Sequence, residues 1–374
     1  MKIVIAPDSF KESMNAMEAA LSIQSAIHHY DSTIETICTP LADGGEGTLE
    51  TLVYAMQGII KTYQVTGPLF EPIEAPIGYV GKIAIIECAK VCGLELLLEN
   101  QKNPYHTTTY GLGELIIEAM HAGAKKLMIC LGGSATNDGG IGMLTALGVR
   151  FYNQQKCDVK LTMQGLVEIC DIDISHINPM IQEVQVIGVC DVKNPLCGKQ
   201  GATYIYGGQK GVLLEDMPHI DQNMEKYARL VDQYYGCDYR FYSGAGAAGG
   251  LGYALLAFCQ GTLQPGFDIV SKVVALETHI ATCDKVIVGE GKIDRQTQYG
   301  KTPYGVLKIA QKYHKDVFAF AGKIEDRDIL KKLGFKNVYS ITPEDMALAY
   351  ALKNGRSQLE KCVFKHMEEI IHEI

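Results

Sequence analysis

Leu131-Gly-Gly-Ser-Ala-Thr-Asn-Asp-Gly-Gly-Ile-Gly-Met143 follows an apolar run, Lys126-Leu-Met-Ile-Cys130, that reads as a buried strand. It leads into Ile141 to Leu147, which reads as a helix closed by Gly148. A strand that enters a Gly-rich turn and opens a helix leaves backbone N–H groups free to meet an anion. Gly132, Gly133, Gly139 and Gly140 allow positive φ and close approach of a ligand to the backbone. Ser134, Thr136, Asn137 and Asp138 add hydroxyl, amide and carboxylate groups at the same place. A tight structural turn with an Asn/Asp cap uses the same residue types. The ligand reading gains weight because loops of this kind recur along the chain, and their recurrence sets the fold class as α/β.

Outward from that loop, the chain opens with a strand pattern, Lys2-Ile-Val-Ile-Ala6, then Pro7-Asp-Ser-Phe-Lys11. A helix is predicted from about Asn15 to His28, with Met17, Leu21 and Ile23 on its buried side. In α/β sheets ligands bind beyond the carboxyl ends of strands, which is where Asp8, Ser9 and Lys11 belong. Thr36-Ile-Cys-Thr-Pro40 reads as a second strand, followed by Leu41-Ala-Asp-Gly-Gly-Glu-Gly-Thr48 and a helix through Met56. The helix dipole accounts for one of Asp43 and Glu46, but not for both beside Gly44, Gly45 and Gly47. From Lys61 to Glu87 the pattern changes to β segments suited to antiparallel pairing, and Phe151 to Asp158 resembles a hairpin. Val184-Gln-Val-Ile-Gly-Val-Cys190 is a buried strand that delivers Asp191, with Lys193 and Asn194 close behind.

Residues 244–252 contain a formal G-x-G-x-x-G at Gly244, Gly246 and Gly249. The preceding Cys237-Asp-Tyr-Arg-Phe-Tyr242 is a poor buried strand, so close packing explains those glycines better than a dinucleotide does. Asp284-Lys-Val-Ile-Val288 is a strand followed by a loop carrying Gly289, Glu290, Asp294, Gln296 and Thr297, then Gly300-Lys301-Thr302. A Walker A pattern requires Gly at 295, where the chain has Arg295. Val317-Phe-Ala-Phe-Ala321 and Asn337-Val-Tyr-Ser-Ile341 complete the strands, and Gln358 to Ile374 is an amphipathic closing helix. The simplest organisation is a Rossmann-like parallel-sheet domain from 1–62 and 268–374, with a mixed-sheet α/β domain, 63–267, inserted. The Gly- and carboxylate-bearing loops of both would face an interdomain cleft.

The 374 residues are 47% hydrophobic with a formal net charge of -9, which argues against nucleic acid or an anionic membrane as partner. An anionic ligand must then be met by local Lys, Arg and backbone N–H groups. No apolar run approaches the roughly 20 residues that span a bilayer. Twelve cysteines form no C-x-x-C pair and many lie in apolar runs, the pattern of a reduced, cytoplasmic protein.

Six motifs in this order resemble the type 1 glycerate kinase family over nearly the whole chain. They are 6–11, 40–48, 131–140, Cys190-Asp-Val-Lys-Asn-Pro-Leu196, 244–252 and Gly289-Glu-Gly-Lys-Ile-Asp-Arg-Gln-Thr-Gln-Tyr-Gly-Lys-Thr-Pro303. Glu12 stands where many members carry Gly. The resemblance implies ATP-dependent phosphorylation of D-glycerate, with 2-phosphoglycerate as product in the bacterial branch; a monomer or homodimer is expected. Mg²⁺ with ATP is expected, held by one or two carboxylates plus phosphate oxygens. On that chemistry Asp191 is assigned as base or orienter for the glycerate hydroxyl, with Asp43 as alternative, and Lys11 and Lys301 stabilise the transferring phosphoryl group. Asp294, Glu290 and Glu46 are the expected Mg²⁺ partners. Asp8, Ser9, Gly44, Gly45, Gly132, Gly133, Ser134, Thr136, Asn137, Asp138, Asn194, Gly289, Gln296 and Thr297 form the expected substrate- and phosphate-binding set. An NAD(P)-dependent oxidoreductase of a small hydroxy acid, or a non-catalytic hydroxy-acid sensor, are the rival readings.

Overall fold

In chain order the strands are β1 (Lys2–Ile5), β2 (Glu35–Cys38), β3 (Ile59–Thr66), β4 (Pro72–Val80), β5 (Ile83–Glu87), β6 (Lys126–Cys130), β7 (Arg150–Tyr152), β8 (Asp171–Asp173), β9 (Gln185–Val189), β10 (Thr262–Gln264), β11 (Lys285–Ile293), β12 (Asp316–Ile324) and β13 (Asn337–Ser340). The computed structural model describes residues 1–295, 297, 301–343 and 346–372; the expected ligand Gln296 lies outside them. The chain divides into two units, Met1–Asp43 with Phe267–Ile374, and Gly44–Gly266.

The first unit carries a sheet in the order β13-β12-β11-β1-β2, with every pairing parallel. Its strands are the apolar runs read from the sequence, and Ile3, Val4, Ile5, Val286, Ile287 and Val288 are fully buried, as a sheet covered on both faces requires. From β1 the chain goes on to β2 on one side, and from β11 to β12 on the other. The order therefore reverses between β1 and β11, which is the topological switch point where α/β sheets bind ligands. Helix Ala16–Tyr30 starts with a capping box between Asn15 and Glu18. It buries Ala19, Ala20, Ile23, Ala26 and Ile27 in a core shared with Leu359, Val363, Met367 and Ile370 of helix Gly355–His372. Leu21, expected on the buried side, is 46% exposed, because the stripe that packs runs through 16, 19, 20, 23, 26 and 27. A second correction concerns β11. The stretch from Gly289 to Ile293, expected as loop, stays in the strand and pairs with β12 as far as Ile293 with Ile324.

The second unit holds a mixed sheet in the order β10-β9-β6-β5-β4-β3. β10, β9, β6 and β5 run parallel, whereas β4 is antiparallel to both β5 and β3. β10 is a short edge strand that the sequence pattern does not reveal. The expected hairpin at 151–158 is reduced to a single bridge between Tyr152 and Asp158, and β7 pairs instead with β8. The division between the units falls at Asp43–Gly44 rather than near residue 62. Helix Thr48–Ala55 belongs to the second unit, because Leu49 and Val53 pack onto Gly78 of β4, where a Cβ would lie 2.4 Å from Val53 Cγ2. Phe151, Tyr227, Tyr253 and Phe258 fill the core with edge-to-face ring contacts.

Candidate active-site residues

In the second unit the loop after β6 is built against the loop that opens at Gly44. The N–H of Gly132 donates to the carbonyl of Gly44 at 3.3 Å, and a Cβ at Gly132 would sit 2.6 Å from Gly45 Cα. Gly44 itself has φ +87° and presses on the Val189 carbonyl at the end of β9, so its lack of a side chain is a requirement of the contact. Beneath this backbone pair, Glu87 is buried at the end of β5 and accepts the N–H of Leu49 at 2.6 Å, in the first turn of helix Thr48–Ala55. Burial, then the charge of Glu50, pushes its carboxyl up to about 7.

Asp138 is fully buried and accepts hydrogen bonds from Thr109 Oγ1 (2.7 Å) and from the backbone N–H groups of Thr109, Gly140 and Gly142. Burial raises its pKa and those four donors hold it back. Its carboxylate ties Thr109, Gly140 and Gly142 together and so shapes the loop. Asn137 Nδ2 donates to Thr203 Oγ1 at 3.0 Å, while Asn137 Oδ1 and Thr136 Oγ1 are buried and receive no hydrogen bond from the protein.

Lys210, which the sequence reading missed, is 2% exposed and donates from Nζ to Ser134 Oγ (2.9 Å) and to the Thr136 carbonyl (2.7 Å). Burial brings its ammonium down to about 8, against the opposing charges of Cys88, Cys92 and Asp138. Because Lys210 occupies a lone pair on Ser134 Oγ, the Ser134 O–H is left to act as a donor. A buried cation and a donating hydroxyl behind a Gly-rich turn suit an anion.

Asp191 leaves β9 and accepts the N–H of Gly266 at 2.9 Å, which ties it to the segment after β10. Asn194 is a support: its Oδ1 accepts from Tyr206 and its Nδ2 donates to the Gln200 carbonyl. Glu46 is half-buried in the turn before helix Thr48–Ala55.

In the first unit the switch point gathers Asp8, Asp43, Glu290, Lys301 and Thr302. Asp8 is held by the Thr302 hydroxyl and by the N–H of Ser9 at 2.6 Å. Burial, then the charge of Asp43, with a further push from Glu290, drives its carboxyl up to about 8. Lys301 Nζ reaches Glu290 Oε1 at 2.9 Å and the Lys292 carbonyl at 3.0 Å. Glu290 is raised by burial and lowered by Lys301, and its buried Oε2 receives no hydrogen bond among the described residues. Gly289 abuts the Phe10 ring, Thr297 is buried with its Oγ1 accepting the Asp294 N–H, and Lys11 is exposed beside Glu290.

Of the expected metal set, Glu290 and Asp294 lie in the first unit and Glu46 in the second. Asp294 is four positions beyond Glu290 along one extended segment, roughly 13 Å of backbone at about 3.3 Å per residue. Asp294 pairs with Lys292 at 3.3 Å. Among the described residues no three His, Cys, Asp or Glu side chains converge as an all-protein metal cage. The grouping of Asp8, Asp43 and Glu290, with like charges and an undonated buried oxygen, does fit a hard cation held by one or two carboxylates and completed by phosphate oxygens and water.

Residues 244–252 resolve as packing glycines. A Cβ at Gly246 would lie 2.2 Å from the Pro195 carbonyl oxygen, and one at Gly249 2.1 Å from that of Thr136. No strand precedes them, so a dinucleotide fingerprint is absent from this part of the second unit.

Comparison with known proteins follows the same lines. Residues 3–371 match the glycerate kinase family. The chain is 41% identical to a glycerate kinase of Halalkalibacterium halodurans over 362 residues, covering 96% of this chain and 95% of that one. It is 42% identical to glycerate 2-kinase of Escherichia coli over 344 residues, 91% of this chain and 90% of that one. The crystal structure of a putative glycerate kinase 2 from Salmonella typhimurium LT2 superposes with a TM-score of 0.84 at 41% identity, covering 98% of this chain and 96% of that one. With near-complete coverage and shared α/β architecture, the chain belongs to the glycerate kinase family.

Proposed function

We propose that the protein transfers the γ-phosphoryl group of ATP to the 2-hydroxyl of D-glycerate, giving 2-phosphoglycerate and ADP. Family membership carries the kinase reading, and the relative that bears the name glycerate 2-kinase supports the position attacked. Phosphoryl transfer asks little covalent chemistry of a protein; it asks for positioning and for cations around the phosphates. Lys11 and Lys301 supply positive charge at the switch point of the first unit. One or two of the carboxylates Asp8, Asp43 and Glu290 would hold Mg²⁺, which when bound with ATP neutralises charge on the phosphates. Asp191 accepts or orients the proton of the glycerate hydroxyl, with Asp43 as the alternative, while the Lys210-backed Ser134 and the glycines of 131–140 hold the anionic substrate. No helix among the described residues is long and apolar enough to cross a membrane. The twelve free thiols support a cytoplasmic setting.

The test is a coupled assay of the purified protein with Mg-ATP and D-glycerate, using enolase and no mutase. Immediate phosphoenolpyruvate is expected, because enolase accepts 2-phosphoglycerate directly. Glycerate-dependent ADP without phosphoenolpyruvate would move the attack to the 3-hydroxyl, and no glycerate-dependent ADP would sink the kinase reading. In the same assay Asp191→Asn is expected to lose about two to four orders of magnitude in kcat. A folded variant with wild-type turnover would transfer the role to Asp43.

A further inference from the structure

The first unit contains a cavity of about 580 Å³ beside the switch point, opening over the carboxyl ends of β11, β12 and β13. We infer that this cavity is the nucleotide subsite, taking the base and ribose of ATP or ADP at its β13 end and leading the phosphates toward Lys11. The inference rests on the kinase reading and names where within the first unit its donor binds.

The two ends of the cavity differ in chemistry. At the β13 end the wall is Ile341, Met346, Leu348, Ala351 and Leu352, an apolar slot suited to a planar base. Leu348 is 72% exposed there, a large apolar side chain left at the mouth of a cavity rather than in a core. Toward β11 and β12 the wall turns cationic and bare. Lys11, Lys323 and Arg327 line it, and Arg327 is braced by donating to the Val338 carbonyl at 3.3 Å.

Between those cations the backbone is stripped of side chains. A Cβ at Gly322 would lie 2.7 Å from the Gly291 carbonyl oxygen, and one at Gly291 3.3 Å from the Lys11 nitrogen. Close packing of three bare strand and loop ends leaves main chain at the surface of the cavity, the arrangement that lets a phosphate approach backbone closely.

Size and polarity favour the nucleotide over glycerate. About 580 Å³ falls in the range of roughly 300–1,000 Å³ typical of cofactor-sized ligands. A three-carbon hydroxy acid has no apolar surface to set against five aliphatic side chains. The cationic end also adjoins Glu290, whose charge is felt together with Lys301 and Lys11. A phosphate chain entering along Lys11 therefore ends at the carboxylate–lysine cluster of Asp8, Glu290 and Lys301.

Isothermal titration calorimetry of the full chain with ADP and with adenosine tests the assignment on the wild type, Met346→Trp and Lys323→Ala. Met346 is half-buried and the Lys323 side chain is 70% exposed, so neither change empties the core. The wild type is expected to bind ADP. Met346→Trp should weaken ADP and adenosine alike by about tenfold or more, because it fills the slot. Lys323→Ala should weaken ADP by about fivefold and leave adenosine unchanged, because an exposed ion pair is worth little more. In turnover both variants should raise KM for ATP and leave KM for glycerate unaltered, which also shows that they are folded. Equal ADP affinity in all three proteins would overturn the subsite while leaving the kinase reading intact. A wild type that binds no ADP would refute the kinase reading, and the subsite with it.

Discussion

Glu12 has φ +62°, in the left-handed region where a side chain is strained. A left-handed backbone is one that Gly adopts without that strain. Glu12→Gly is expected to raise unfolding free energy by about 0.5–1 kcal/mol once the freer unfolded chain is allowed for, measured by urea denaturation. Lys210 offers a sharper test, because its effect has a sign that depends on pH. Its folded pKa of about 8 lies below the ordinary 10.5, so between those values the unfolded chain binds a proton that the native protein has released. Stability from this group therefore rises as pH climbs from 8 toward 10.5, by at most about 1.4 kcal/mol per pH unit. Below pH 8 the buried charge costs its full amount. The difference in unfolding free energy between wild type and Lys210→Met should grow with pH across 8–10, and a parallel pair of curves would show that Lys210 is not a buried ammonium.

At the scale of elements, the glycines of 244–252 make a kinked joint between a 3-10 turn and helix Leu251–Phe258. Gly249 combines φ +68° with a Cβ position 2.1 Å from the Thr136 carbonyl oxygen, inside the 131–140 loop. Gly249→Ala should cost about 2–4 kcal/mol and raise KM for glycerate more than KM for ATP, since the displaced partner is the 131–140 loop. A variant with wild-type stability and kinetics would mean that the loop and this turn do not constrain each other. β11 teaches a related lesson. Gly289 and Gly291 punctuate the sequence like a loop, yet they lie in a paired strand, because each is needed where Phe10, Lys11 or Gly322 comes close.

At the scale of the whole molecule, β1 stands between β2 and β11, so the first unit is completed only by residues from both ends of the chain. The excised segment 267–374 lacks β1, the strand that joins β11 to β2 in the sheet, and should show no cooperative urea transition by circular dichroism. The continuous segment 44–266 has its whole sheet and core within it and should unfold cooperatively when expressed alone. Cooperative unfolding of 267–374 by itself would contradict the dependence of this sheet on β1. The sequence by itself determined the α/β class, the strand–turn–helix loops at 6–11, 40–48 and 131–140, and the family, because those signals are local: glycines, caps and apolar runs within a dozen residues. Only tertiary structure decided which groups share a site. Lys210 meets Ser134 across 76 positions and Thr302 meets Asp8 across 294. Neither contact has a local signature, since a lysine after two glycines and a threonine opening a helix look like surface residues until packing removes water from around them. The same holds for Asp138, whose carboxylate reads as a ligand group in the sequence and is consumed by four donors in the fold. Burial turns a polar residue into either a support or a reactive group, and burial is a property of the packed chain.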